Sequence, residues 1–484
     1  MSNRRKHLGQ YFTPADVARS LVKWVVARPS DRLLDPSCGD GQFLVCHRRA
    51  VGVELDLENA RLSRERAPGA LVHGGDFFRW SAATKERFEA IAGNPPFIRY
   101  QTFCGEMRGE ALAAASLMGA DFSGLTSSWA PFVMVAAGLL KPGGRMAFVV
   151  PAEVGHATYA RALLPALCAH FSHVQLIACR EKLFPHLSED CWLLYCAGYG
   201  ARTDTILLSS IDRFAPLDAP PKVTRRVTLA EWRAAGERLR PFLLPASALA
   251  LYQSLTASDA VRRFGDLATA SIGYVTGAND FFHLRPSEAE RRKFPRELLR
   301  AAVRKSEQLP GESVNRATVQ RWLAADEAVL LIDLRKAREL PAPVRAYLDE
   351  DAGQEARLTY KCRNRDPWYG VPDVKVPDAF LSVMCGTRPH LVRNEAACVC
   401  TNSLHAVTLR GGVTMDALQR GWRSRLAELG AEIEGHPLGG GMLKLEPREA
   451  ARVPIPIGDL HLTHRDEETL TEAVRHARAW RHHA

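Results

Sequence analysis

The sequence predicts an α/β protein: an open, mostly parallel sheet with helices on both faces, followed by a separate α+β domain. Three observations predict it. Short apolar runs alternate with helical patterns through roughly the first 200 residues. A glycine turn follows the first of those runs, and an acid 19 positions after Asp35 ends the second. The alternation is then lost beyond a Pro- and charge-rich stretch, Ala215-Pro216-Leu217-Asp218-Ala219-Pro220-Pro221-Lys222. These observations place an α/β domain at 1–214, a linker region at 215–245 and an α+β domain at 246–484.

The elements follow in order. Arg32-Leu33-Leu34-Asp35 is an apolar run stopped by Pro36 and a glycine turn. Ala50 to Glu54 is a second short strand, and Phe88 to Asn94 a third. From Ser128 to Leu140 the large residues Trp129, Phe132, Val133, Ala136, Ala137 and Leu140 recur at helical spacing, up to Pro142-Gly143-Gly144. Arg145 to Pro151 and Val174 to Ala178 are further strands. In such sheets ligands sit at the carboxyl ends of the strands, so the strand-ending turns matter most.

Composition narrows the class. The chain has 484 residues, 46% of them apolar and 24% charged, which fits folded globular domains and excludes a largely disordered or fibrous chain. No apolar run approaches the ~18 residues of a membrane span. The start Met1-Ser2-Asn3-Arg4-Arg5-Lys6 is basic but has no apolar stretch behind it, so no secretory signal is expected. Eleven cysteines without framework spacing suit reduced thiols in a cytoplasmic protein. Cys398 and Cys400 lack a matching second pair, so no metal site is expected. The net charge of +10 favours polyanions weakly. From Arg285 to Lys305 eight basic residues face three acidic ones, a pattern open equally to phosphate binding and to a solvated, ion-paired helix.

The motifs carry the chemistry. Asp35-Pro36-Ser37-Cys38-Gly39-Asp40-Gly41 is a strand-to-helix turn whose glycines let backbone N–H groups approach a ligand. Glu54, in Val53-Glu54-Leu55-Asp56, is suited to gripping two ribose hydroxyls. Asp76, in Gly75-Asp76-Phe77-Phe78, can accept from an adenine amino group while Phe77 packs on its ring. A tight glycine turn and a helix cap are the competing readings of these segments.

Ala92-Gly93-Asn94-Pro95-Pro96-Phe97 is the strongest signal. Two prolines fix φ and remove two donors, and each pushes its predecessor out of the helical region. In the resulting stiff turn, the Asn94 side-chain oxygen and the Pro95 carbonyl can converge on one planar NH2, with Phe97 against its ring. The lone pair of an aromatic amine is delocalised into the ring. Two acceptors that draw its hydrogens out of plane free that pair for attack, a stabilisation that grows towards the transition state.

With these residues the sequence resembles the N6-adenine DNA methyltransferases of restriction–modification systems, in the motif order of the gamma group. The resemblance implies a Rossmann-like, S-adenosylmethionine-dependent catalytic domain and a C-terminal target-recognition domain. Gly9-Gln10-Tyr11-Phe12-Thr13-Pro14 resembles the segment that closes over the methionine end of S-adenosyl-L-methionine, with Thr13 as a contact. Asp35, Ser37, Cys38, Gly39 and Gly41 would line the methionine part, Glu54 the ribose, and Asp76 with Phe77 the adenine. Asn94, Pro95, Pro96 and Phe97 would be the catalytic motif. Phe184, in Arg180-Glu181-Lys182-Leu183-Phe184-Pro185, would be a second aromatic beside the flipped base. The family often has Tyr where Phe97 stands; stacking survives this change, while any interaction through the hydroxyl does not.

The C-terminal part also resembles the family's recognition region, in Ile272 to Phe282, Arg363-Asn364-Arg365-Asp366-Pro367-Trp368-Tyr369 and Leu438 to Leu445. Lys361, Arg363 and Arg365 are the preferred DNA contacts, and Thr401-Asn402 are either groove contacts or a strand-end turn. The expected partner is double-stranded DNA, clamped between the domains with the target adenine flipped out. No metal and no membrane are expected. Any restriction endonuclease is expected as a separate chain, because about eight residues precede the cofactor segment. The alternatives are N4-cytosine, RNA or protein-amide methylation, and a non-catalytic DNA-binding subunit of the same fold.

Overall fold

Apolar segments of the first half are buried on both faces, as a covered parallel sheet requires. In the computed structural model, which describes residues 13–98, 102–124, 126–157, 159–185, 190–335, 337 and 339–483, they form one nine-stranded sheet. Helix α1 (Ala15–Val25) precedes β1 (Leu33–Asp35), β2 (Ala50–Glu54), α2 (Leu57–Arg66), β3 (Leu71–Gly74), α3 (Phe77–Ala83) and β4 (Phe88–Gly93). Then come α4 (Gly105–Leu117), α5 (Trp129–Ala137), β5 (Leu140–Pro151), α6 (Ala160–His170), β6 (Phe171–Cys179), β7 (Cys191–Tyr199), β8 (Thr205–Ile211), β9 (Arg225–Thr228) and α7 (Leu229–Ala234).

The strand order is β3-β2-β1-β4-β5-β7-β6-β8-β9. β3 through β5 are parallel, β7 runs antiparallel to both β5 and β6, β8 is parallel to β6, and β9 closes the edge antiparallel. The sheet order reverses between β1 and β4, so the turn after β1 and the turn after β4 are neighbours. That pair of turns is the crevice at which ligands bind in such folds. One face of the sheet, through Ala90, Ala92, Ala147 and Val149, joins Val17, Leu21, Val22 and Trp24 of α1 in a single cluster. The alternate residues Ile91, Met146, Phe148 and Val150 are fully buried on the opposite face.

Two local expectations are revised. Helix α5 stops at Ala137, and Leu140 already pairs with Phe88; Pro142-Gly143-Gly144 lies within β5 at an irregularity of register. Residues 215–245 are not a free linker. The Leu217 N–H donates to Ser20 Oγ at 3.2 Å, its carbonyl accepts from Trp24 Nε1 at 2.9 Å, and Lys23 pairs with Asp218 at 2.5 Å. Beyond this strap, Val227, Trp232 and Leu239 are buried. The apolar residues dispersed among the prolines and charges make this stretch part of the first body, and the chain divides into two units, Met1–Leu244 and Pro245–Ala484.

The second unit is α+β. A five-stranded sheet takes Ala268–Ile272, Leu404–Leu409, Ala379–Ser382, Leu391–Asn394 and Ser313–Val314 in that order. A four-stranded sheet takes His283–Leu284, Leu330–Ile332, Leu299–Val303 and Val399–Cys400. The short helix α8 (Tyr360–Arg363) and the helices α9 (Arg425–Glu434) and α10 (His464–Ala479) complete the elements used below. No helix among the described residues is long and apolar enough to cross a membrane.

Candidate active site

The turn after β1 is built on buried groups. Asp35 ends the strand at 1% exposure. Its Oδ1 accepts the Ser37 N–H at 3.2 Å, while Oδ2 is buried with no hydrogen-bond partner among the described residues. Burial holds this carboxyl well above the ordinary carboxylate range, opposed by the Ser37 N–H. Across the crevice, a Cβ on Gly93 would lie 2.8 Å from Asp35 Oδ1, so glycine alone lets β4 end this close to β1. Gly39 and Gly41 adopt φ of +53° and +88°, a region that favours glycine.

Glu54, also buried, accepts the Gly39 N–H on Oε2 at 2.9 Å and the Asp56 N–H on Oε1 at 2.8 Å. It thereby ties the end of β2 to the glycine turn. Burial raises its pKa, and these two N–H groups oppose the rise. Asp76 caps α3 by accepting from the Arg79 N–H at 2.9 Å. The Phe77 ring packs on Phe132 of α5 at 4.4 Å between centroids.

Most of these groups line one cavity of about 110 Å³. Ser37, Gly39, Glu54, Asp76 and Phe77 stand in its wall with Asn94 and Pro96 of the diproline turn. So do Leu55, next to Glu54 in its motif, and Asn59, Phe103, Met107, Ser128 and Phe132, the last five of which the motifs do not include. Of those five, only Ser128 and Phe132 fall in a segment with a sequence signal, the helical spacing after Ser128. The walls suit S-adenosylmethionine. A carboxylate and open space beside Gly39 and Gly75 accept a polar sugar and tail, and aromatic and aliphatic side chains accept a flat base. Asp35, expected as a cofactor contact, is buried and is not among the residues that line the cavity.

Other expected contacts lie elsewhere. Cys38 is buried, with its N–H donating to Val53 O and its thiol 3.5 Å from Ser63 Oγ; burial pushes the thiol pKa far up. A Cβ on Gly52 would meet that sulfur at 2.7 Å, so Cys38 fills the space behind the turn. A Cβ on Gly41 would meet Ser63 at 3.0 to 3.3 Å, so Gly41 serves packing on α2. Thr13 is buried just before α1; residues 9–12 of the same motif lie outside the described residues. Phe184 is buried in the apolar cluster against which Phe97 packs, and neither ring is among the residues that line the cavity.

The diproline turn is held from outside. Ser37 Oγ donates to the Asn94 carbonyl at 3.0 Å. Ser128, 2% exposed at the head of α5, donates its hydroxyl to the Pro96 carbonyl at 2.5 Å and accepts the Ile98 N–H at 3.1 Å. Its own N–H donates to Ile98 O at 3.0 Å. Ser37, expected as a cofactor contact, thus directs its hydroxyl at the turn.

In the second unit Lys361 and Arg363 are exposed on α8, both near the exposed Tyr360 ring, at 6.0 and 5.9 Å from its centroid. Arg365 is turned inward: it donates to the carbonyls of Thr276 and, at 3.0 Å, Lys361, and lies over the Phe282 ring. The Thr401 hydroxyl donates to Arg304 O at 2.8 Å, and Trp368 packs near Phe281. Within the basic stretch, Arg292 pairs with Glu288 and Glu350, Arg300 with Asp333, and Arg304 with Asp280. Among the described residues no group of three His, Cys, Asp or Glu is placed to hold a metal ion.

Two family models match the chain: the Type II methyltransferase M.Eco57I, C-terminal domain, over residues 237–483, and N-6 DNA Methylase over residues 1–184. The chain is 25% identical to the Type II methyltransferase M.XamI of Xanthomonas campestris pv. amaranthicola over 484 residues, covering 95% of this chain and 88% of that one. It is 19% identical to the Type II methyltransferase M.AccI of Acinetobacter calcoaceticus over 466 residues, covering 92% and 84%. Among solved structures, the Type IIL restriction-modification enzyme MmeI in complex with DNA superposes with a TM-score of 0.53 at 12% identity, covering 98% of this chain and 66% of that one, a likeness of fold.

Proposed function

The chain belongs to the M.Eco57I C-terminal-domain family of Type II methyltransferases and is a DNA methyltransferase of a restriction–modification system, and from that premise we propose that it methylates N6 of a flipped adenine with S-adenosylmethionine. One observation carries the reading: the cavity wall that contains Glu54, Asp76 and Phe77 also contains Asn94 and Pro96. The cofactor pocket and the diproline turn are therefore parts of one site. The motif order, with the glycine turn first, the diproline turn next and the recognition unit last, supports the gamma group.

S-adenosylmethionine, when bound, supplies an electrophilic sulfonium methyl. Glu54 holds the ribose hydroxyls, Asp76 accepts from the adenine amino group, and Phe77 with Phe132 packs on the base. The Asn94 side-chain oxygen and the Pro95 carbonyl accept from the two N6 hydrogens of the target and draw the nitrogen out of plane. Phe97 and Phe184 present the apolar surface on which the flipped ring rests. Orienting the amine towards the methyl supplies much of the acceleration. The N6 proton leaves after transfer, so no strong base is required.

The second unit reads the sequence of the duplex, with Lys361 and Arg363 as exposed cationic contacts. The partners are double-stranded DNA and, as a separate chain, an endonuclease of the same specificity. That assignment is supported by relatives named methyltransferases over 84% and 88% of their length.

The test is expression in a methylation-deficient host, followed by sequencing of the host DNA with detection of modified bases. N6-methyladenine in one short motif is expected; N4-methylcytosine or no mark would overturn the reading. Asn94→Ala should abolish the mark while S-adenosylmethionine still binds.

A further inference from the structure

The catalytic turn has an unusual mechanical problem. Pro95 and Pro96 carry no N–H, so the turn cannot be pinned by donors of its own at these positions. Their rings fix φ at both residues, which leaves ψ of Pro95 and ψ of Pro96 as the soft torsions. Those two torsions aim the Pro95 carbonyl.

Two serine hydroxyls close the problem from either side. Ser37 Oγ pins the Asn94–Pro95 peptide plane through the Asn94 carbonyl at 3.0 Å. Ser128 Oγ pins the Pro96–Phe97 plane through the Pro96 carbonyl at 2.5 Å. With both flanking planes restrained and both φ angles fixed, the two ψ torsions that orient the Pro95–Pro96 plane are narrowed. Its carbonyl is the one acceptor of the three that no hydrogen bond reaches among the described residues. Ser128 does more than Ser37. Its hydroxyl also accepts the Ile98 N–H at 3.1 Å, and its N–H donates to Ile98 O at 3.0 Å, so α5 grips the turn on both sides of Phe97.

We propose that Ser128 is a positioning residue for methyl transfer: through the Pro96 carbonyl and the Ile98 N–H it sets the aim of the Pro95 carbonyl and the seat of Phe97. This rests on the reading of residues 94–97 as the catalytic turn. A hydroxyl is required, because one atom must donate to a carbonyl and accept from an N–H at once. Threonine meets that requirement, cysteine meets it weakly, and alanine does not. Misaim of a reacting group by a fraction of an ångström costs rate, not cofactor affinity.

The experiment measures transfer of tritiated methyl from S-adenosylmethionine to genomic DNA of a methylation-deficient strain. The cofactor Kd is measured by calorimetry on the same full-length preparations. Ser128→Ala should lower kcat by about 10–100-fold with the cofactor Kd unchanged to within about twofold. Ser128→Thr should restore most of the rate. A Ser128→Ala enzyme of wild-type kcat would overturn the proposal. So would a Kd that weakens in step with kcat, since Ser128 also lines the cofactor cavity and would then act through cofactor binding or packing. If Ser128→Ala does not fold, Ser128→Cys decides by the same criteria, a lowered kcat at unchanged Kd supporting the clamp. Asn94→Ala run in parallel separates the two readings. Retained transfer there refutes the catalytic turn itself, whereas lost transfer there beside a wild-type Ser128→Ala refutes only the clamp.

Discussion

Adding one methyl group at Gly93 should damage both stability and cofactor binding. Gly93 is buried at the carboxyl end of β4, one residue before Asn94. A Cβ there would lie 2.8 Å from Asp35 Oδ1, 3.4 Å from Pro36 Cδ and 3.5 Å from Phe148 Cε1. The first contact is roughly 0.7 Å inside the range where nonbonded heavy atoms attract. None of the neighbours can yield cheaply. Asp35 is 1% exposed and engaged with the Ser37 N–H, Pro36 is a ring, and Phe148 is fully buried. Overpacking of this kind costs about 1–3 kcal/mol. The displaced atoms are the two turns that line the cavity, so S-adenosylmethionine affinity should fall about tenfold for each 1.4 kcal/mol of distortion it must reverse. Gly109→Ala is the control. It lies exposed within α4 with nothing within 4 Å of a built Cβ, and alanine should stabilise it by about 0.5–1 kcal/mol. Urea unfolding and calorimetric titration with the cofactor read both effects. A Gly93→Ala protein with wild-type urea midpoint and wild-type Kd would refute the argument that Asp35 and the diproline turn meet through this glycine.

Four other outcomes are expected. Replacing Lys361 or Arg363 by alanine should weaken DNA binding and reduce the slope of log K against log salt by about 0.9 for each phosphate no longer neutralised; an unchanged slope removes the residue from the interface. Arg365→Ala should instead lower the urea midpoint and leave the salt slope as it was, because its guanidinium binds the carbonyls of Thr276 and Lys361. Burial raises the Asp35 pKa above 3.8, so the folded state holds this proton more tightly than the unfolded chain. The associated stability is complete below that value and is lost as pH rises through the raised pKa. Asp35→Asn keeps the neutral form at every pH, so its stability relative to wild type should increase from pH about 4 upwards in denaturant titrations, and a pH-independent difference would count against the buried charge. Glu432 and Arg481, 1% and 0% exposed, form a two-bond pair at 2.8 and 2.9 Å that anchors the segment after α10 to α9. Glu432→Ala alone should cost about 3–5 kcal/mol by leaving the guanidinium buried, and a Glu432→Leu/Arg481→Leu double variant should regain most of it; equal losses in both would contradict this.

What was legible in the sequence was chemistry that short segments impose on themselves. A Gly-x-Gly turn, an acid at a strand end and Asn94-Pro95-Pro96-Phe97 restrict the backbone wherever they stand, because glycine and proline act through local sterics. The motifs name Ser37, Gly39, Glu54, Asp76, Phe77, Asn94 and Pro96, which the sheet order then brings into one cavity wall. Cys38 and Gly41 share the same turn but serve packing, a distinction that depends on Ser63 in a helix folded back against them. Arg365 and Arg363 are alike in sequence, yet one is turned onto backbone carbonyls and the other is exposed. Likewise Ala215 to Lys222 reads as a linker because its partners, Ser20, Lys23 and Trp24, are nearly two hundred residues away. The two serine hydroxyls that hold the diproline turn join residues 57 and 32 positions apart. Sequence by itself determined which reactive groups exist and how their own backbone bends. The tertiary structure decided which hydroxyls hold that bend and which cations remain free for a partner, because a hydrogen bond needs two groups within about 3 Å and only the completed sheet brings distant segments that close.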